Sequence, residues 1–193
     1  MVEGDAGRMT VTVLVNEPLQ PVQRGERYEE QLAAAYERYA AGCAVTGGGS
    51  LVDPGGEVRW CDLEVEWSGD LDRALEVTTV TLEHLGIAKG SAVLLPDRRV
   101  EIGRTEGVAV YLNGTDLPGE VYATSDVNVV IDGFETAIGD RGSLHGWWEG
   151  PRETALYFFG PSGAELKGLL AAEAATHPLC ERARIVQRPL SPA

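Results

Sequence analysis

Positive charge is what this sequence has least of: 16 lysines and arginines stand against 30 aspartates and glutamates among 193 residues, for a formal net charge of −14. Binding a nucleic-acid backbone or an anionic membrane non-specifically needs cationic footing, so both partners are disfavoured. Cysteine is nearly as sparse. Cys43, Cys61 and Cys180 form an odd set without C-x-x-C spacing, which argues against a disulfide framework or a zinc knuckle and leaves buried, reduced thiols. No apolar run approaches the roughly 20 residues of a membrane-spanning helix. Met1–Thr10 carries Glu3 and no apolar h-region behind it, so a cytoplasmic protein without a secretion signal is expected. Catalytic signatures are missing too: there is no G-x-S-x-G, H-E-x-x-H, kinase set or dinucleotide fingerprint. The run Gly47-Gly-Gly-Ser50 lacks the Lys-Ser/Thr of a phosphate loop and reads as a flexible hairpin edge.

What is present is a repeated order of hydrophobic periods. Val11–Val15 alternates as a strand, and residues 26–41 set Tyr28, Leu32, Tyr36 and Tyr39 at helical spacing. A strand near 43–52 and the turn Asp53-Pro-Gly-Gly56 follow. The strand at 57–67 then places Cys61, Leu63, Val65 and Trp67 opposite Asp62, Glu64 and Glu66. Ser68-Gly-Asp70 caps a helix that stops at Gly86, and 92–95 closes the unit. From 107 the order returns: a strand at 107–112, a helix at 126–138, strands at 143–149 and 153–159, a helix behind Pro161-Ser-Gly163, and a last strand at 184–187. The fold class is therefore α+β, as two tandem ferredoxin-like (βαββαβ) modules over 8–97 and 105–188, with antiparallel sheets and helices on one face. A single α+β domain with one long mixed sheet is the alternative.

Each such module leaves one sheet face open. In the second, Ala155, Tyr157 and Phe159 on one side and Leu156 and Phe158 on the other are all apolar. Both sides of that strand should thus be buried, by the partner module or by a homodimer mate. In the first, Asp62, Glu64 and Glu66 stand roughly 6.8 Å apart on the open face. Three readings of this stripe compete: a solvated face, a docking surface for a basic protein, and a divalent-metal site. The metal reading needs a carboxylate from a neighbouring strand, which Val11–Val15 does not offer. His84 and His177 sit at helix ends and read as structural. His145 lies in Ser143-Leu-His-Gly-Trp-Trp-Glu149 and could pack, make a binding contact, or do acid/base work with Glu149 or Glu153.

Taken over the whole chain, the net charge of −14, the stripe at 62–66, the Trp147-Trp148 hairpin and the lack of a catalytic signature resemble the small acidic immunity proteins that bacteria encode beside polymorphic toxins. The resemblance implies a non-enzymatic, antitoxin-like inhibitor of a basic protein partner such as a cognate toxin. Asp62, Glu64 and Glu66 would steer its association, and Trp147 and Trp148 would anchor it. It implies no cofactor and no metal. The second hypothesis comes from a resemblance to dimeric α+β-barrel proteins, where the space between sheets holds a small organic ligand. Here His145, Trp148, Glu149, Tyr157 and Phe158 would line that pocket.

Overall fold

The computed structural model describes residues 8–191; the start of the segment read above for a secretion signal, residues 1–7, lies outside them. No helix among the described residues is long and apolar enough to cross a membrane.

The first half builds β1 (Arg8–Val15), a helical run formed by α1 (Pro21–Arg24), one turn of π-helix (Gly25–Glu29) and α2 (Glu30–Tyr39), then β2 (Ala44–Gly47), β3 (Ser50–Val52), β4 (Val58–Ser68), α3 (Leu71–His84), β5 (Ser91–Leu94) and β6 (Arg99–Ile102). Its sheet runs β2-β4-β1-β5-β6 with β3 also on β4. The second half follows with β7 (Glu106–Asn113), α4 (Gly119–Thr124), α5 (Val127–Ile138), β8 (Ser143–Glu149), β9 (Glu153–Gly160), α6 (Gly163–Ala174) and β10 (Arg184–Gln187), in the order β10-β7-β9-β8. Both halves share one antiparallel pattern, in which the first strand sits between the third and the fourth and the second strand flanks the third. The fold is α+β, two tandem ferredoxin-like modules. Sheet pairing in the first continues through β6, past the expected end at 97.

The caps are those the sequence spells out. The Asp70 carboxylate accepts from Arg73 N at 3.0 Å and Ser162 Oγ from Glu165 N at 3.3 Å, each satisfying one orphan N–H of a helix start. Gly86, with φ at +78°, ends α3 in the left-handed region that a side chain would strain. Asp126, the third such cap, takes Asn128 N at 2.8 Å and starts α5.

In the first module Tyr28, Leu32 and Tyr36 press onto Cys61, Leu63, Val65 and Trp67, all buried. Tyr39, expected on the same stripe, is instead exposed beneath Arg38 at the last residue of α2. In the second, Val130, Phe134 and Ile138 meet Leu156, Phe158 and Leu166, and the rings of Phe134 and Phe158 meet edge-on at 5.6 Å. One polar chain crosses the first core. Trp67 Nε1 donates to Tyr36 Oη at 2.9 Å, Tyr36 donates to Thr78 Oγ1 at 2.6 Å, and Thr78 donates to the Ala74 carbonyl at 2.7 Å.

The apolar open face of the second sheet is covered by strand ends and loops of the first module. Ala88 packs with Ala109, Trp148, Ala155, Tyr157 and Phe159. Gly146 brings this face close: a Cβ there would stand 3.0 Å from Leu19 Cδ2 and 2.7 Å from Gln23 Oε1. The C-terminal segment returns the contact, Asn16 Nδ2 donating to the Pro189 carbonyl at 3.1 Å.

Tyr36→Phe removes the acceptor of a buried indole N–H, so it should cost about 1–3 kcal/mol in urea unfolding with the slope m unchanged. A loss below a few tenths of a kcal/mol would show that the chain of three hydrogen bonds does not hold the core.

Candidate functional site

The seam between the modules centres on a buried carboxylate that sequence reasoning passed over. Glu17 has no solvent exposure, yet each oxygen is engaged. Oε1 accepts from Tyr28 Oη at 2.6 Å and from Ala88 N at 2.9 Å, and Oε2 lies 2.7 Å from His145 Nδ1. Arg27 Nε is 4.0 Å from Oε2, and Arg27 NH2 reaches His145 Nε2 at 2.6 Å and the Leu85 carbonyl at 2.8 Å. A guanidinium only donates, so His145 Nε2 is the acceptor, Nδ1 carries the proton, and the imidazole is neutral. The π turn aims the successive residues Arg27 and Tyr28 at this one carboxylate. Burial lowers the His145 pKa, and Arg27 reinforces this against the pull of Glu17. Burial also pushes the Glu17 carboxyl upward, but His145, Arg27 and the Tyr28 hydrogen bond outweigh it and hold it below the usual value.

This geometry corrects the acid/base expectation. The partner of His145 is Glu17 and not Glu149 or Glu153, and the ring nitrogen that would take a substrate proton is occupied by Arg27. The ring also stacks on Phe159 at 4.6 Å. His145 bolts the modules together.

The proposed ligand set His145, Trp148, Glu149, Tyr157 and Phe158 is split by the sheet. His145, Trp148 and Tyr157 face the first module, whereas Phe158 lies in the helix-side core. Alternation along β9 forbids neighbours 157 and 158 from sharing a cavity. The two tryptophans part in the same way. Trp148 is 9% exposed and packed toward the seam, and Trp147 is 52% exposed on the helix side, so they cannot anchor one partner together. The acidic stripe is one face of β4, as expected, but two of its three carboxylates have partners within the chain. Asp62 accepts from Gly49 N at 2.8 Å and Glu66 pairs with Arg8. Glu64 alone of the three makes no side-chain ion pair or hydrogen bond among the described residues. Nor do these residues group three His, Cys, Asp or Glu side chains for a metal ion.

Two clefts flank this framework. The larger, about 720 Å³, lies in the second module between the start of α5 and the β8–β9 hairpin. Val127, Ile131, Leu144, Trp147 and Leu156 wall it, and Glu149 and Glu153 stand at its rim. Its lining includes no lysine, arginine or histidine. Arg184 NH2 bridges both Glu153 oxygens at 2.9 Å, while the Glu149 side chain has no such partner among the described residues. Val127 is exposed and Ile131 half-buried, and both line this opening. The smaller cleft, about 430 Å³, opens between the modules beside Glu57, whose Oε1 accepts from Tyr111 Oη and Tyr157 Oη at 2.8 Å each. Burial and that carboxylate push both phenols upward, so they remain donors.

No family model and no curated protein matches the chain. Among solved structures it is similar to an unknown protein from Galdieria sulphuraria (10% identity, 94% of this chain and 97% of that one, TM-score 0.29). It is also similar to the regulatory subunit of aspartate kinase from Thermus thermophilus (16%, 89% and 93%, TM-score 0.28). A third similarity is to an anthrone oxidase-like protein (12%, 95% and 90%, TM-score 0.30). The ferredoxin-like topology stands on the strand order itself.

Glu17→Ala strands three donors and the Arg27 charge in the seam and should cost about 3–5 kcal/mol. Since the folded state holds His145 neutral, its contribution is complete above the ordinary histidine pKa near 6.5 and is lost as pH falls below it. The Glu17 contribution is lost further down, below the ordinary carboxyl value near 4.5. Melting temperature should therefore start to fall near pH 6.5 on acidification, and His145→Gln should flatten that first limb. An equal slope in wild type and variant would remove His145 from the account.

Proposed function

We propose that this protein is a non-enzymatic binding module whose site is the cleft beside Trp147, and that its ligand is an organic cation on an apolar stem. One observation carries the reading: a half-exposed indole and an unpaired carboxylate share a cleft of about 720 Å³ whose lining holds no basic side chain. That volume lies in the range of small-molecule sites. An ammonium over the indole face gains about 0.5–2 kcal/mol, and more when Glu149 neutralises it. The apolar stem would then displace water from Val127, Ile131 and Leu156. The chain's net charge of −14 favours the approach of a cation over that of an anion within about a Debye length of its surface.

A second reading, the immunity-type inhibitor, has the same exposed Trp147 and the acidic charge in its favour; a basic partner would insert a lysine or arginine side chain where the free amine would sit. Glu66 is already paired with Arg8, which leaves Asp62 and Glu64 as the stripe's charges without an ion pair among the described residues.

Calorimetric titration with hexylamine and with hexanoate tests the small-molecule reading. Hexylamine should bind saturably and hexanoate should not, and Trp147→Ala and Glu149→Gln should each weaken the amine by about tenfold, or roughly 1.4 kcal/mol. Equal binding of acid and amine, or variants indistinguishable from wild type, would sink it. A basic protein retained at low salt through Trp147, together with no response to hexylamine, would favour the inhibitor.

A further inference from the structure

The cleft between the modules has a different chemistry. Its charged lining side chains are two acids, Asp53 and Glu57, and two arginines, Arg59 and Arg188, so it is balanced where the rest of the molecule is acidic. Asp53 and Arg59 largely satisfy each other at 3.4 Å. Glu57 and Arg188 do not. Glu57 uses Oε1 for the two tyrosines, and Oε2 has no donor among the described residues. Arg188 is half-buried; its guanidinium carbon lies 5.4 Å from the centre of the Tyr157 ring and its NH2 donates to the Arg59 carbonyl at 2.8 Å, while its Nε is buried with no hydrogen-bond partner among the described residues. No carboxylate comes within 4.0 Å of it among the described residues, although the described arginines that are buried or half-buried elsewhere, Arg24 and Arg27, each have one. A partly desolvated guanidinium without a counter-ion is costly unless something supplies the charge.

The walls of the same cleft are apolar and come from both modules. Leu51 and Val52 of β3 and Val186 of β10 are 45%, 50% and 43% exposed, and Trp60 stands between them. We propose that the inter-module cleft is a second binding site, for a small zwitterion with an apolar body, in the manner of a free amino acid. Its ammonium pairs with Glu57 Oε2, its carboxylate with the Arg188 guanidinium, and its side chain lies on Trp60, Leu51, Val52 and Val186. A zwitterion carries no net charge, so it escapes the repulsion that a chain of net charge −14 exerts on a simple carboxylate. About 430 Å³ accommodates a ligand of this size. Such a ligand touches both modules and stabilises their union by mass action.

The test is a thermal-shift titration with L-leucine and L-phenylalanine, carried out in a Trp147→Ala background so that an amine response from the other cleft is not read as this one. The free amino acids should raise the melting temperature saturably; N-acetyl-leucine, which lacks the cation, and leucinamide, which lacks the anion, should not. Arg188→Met should weaken the response by at least about tenfold. Glu57→Gln, which keeps an amide oxygen for Tyr111 and Tyr157, should do the same without unfolding the seam. No shift with either free amino acid, an equal shift with the blocked derivatives, or an undiminished response in both variants would overturn the proposal.

Discussion

The Glu17 carboxylate is the constraint on which the arrangement of this molecule depends. An ionised acid without any exposure is tolerable only where donors and an opposite charge surround it. Here those donors come from separate stretches of chain: a tyrosine from the π turn, a backbone N–H at Ala88, an imidazole from β8, and the Arg27 charge alongside. The imidazole is the one of these that the second module supplies, and its withdrawal leaves Oε2 without a hydrogen bond, so this contact holds the second sheet against the first. The apolar contacts around Ala88, Tyr157 and Phe159 supply area, and the carboxylate supplies the geometry.

That placement makes one of the two clefts. The inter-module cleft exists because the end of the first sheet is held against the open face of the second, bringing Trp60 and Glu57 opposite Tyr111 and Arg188. The Trp147 cleft is lined by the second module, opening on the helix side of the hairpin whose other face is bolted by His145. Because β8 bulges at His145, between Leu144 and Gly146, it presents a structural residue and a binding residue on opposite faces although they are two positions apart.

Much of the architecture was legible in the sequence. Cys61, Leu63, Val65 and Trp67 alternate against three acids, and this gave β4 and its buried face; Asp70 and Ser162 marked helix starts; the repeat of strand and helix order gave two modules. What escaped was of three kinds. Glu17 sits beside Asn16 and Pro18 in what reads as a turn, and nothing local distinguishes an acid that will be buried by partners up to 128 residues away. Trp147 and Trp148 were grouped because they adjoin in sequence, although strand alternation sends neighbours to opposite faces, and the same rule separates Tyr157 from Phe158. The acids at 62 and 66 were counted as free charge because their partners, Gly49 N and Arg8, lie across a loop and a neighbouring strand.

The distance along the chain between Glu17 and His145 also has a meaning in time. The two are 128 residues apart, and at a synthesis rate of about 5–20 residues per second the imidazole follows the carboxylate by roughly 6–26 s. The first module can close its own core in that interval, since its strands and helices are all within the first 102 residues. Its seam stays hydrated meanwhile, with Glu17 held by Tyr28 and Ala88 of its own module and open to water where His145 will sit. The nascent chain thus carries a polar, solvated face where a purely apolar seam would present a sticky one, and docking of the two halves waits for the last strands to emerge.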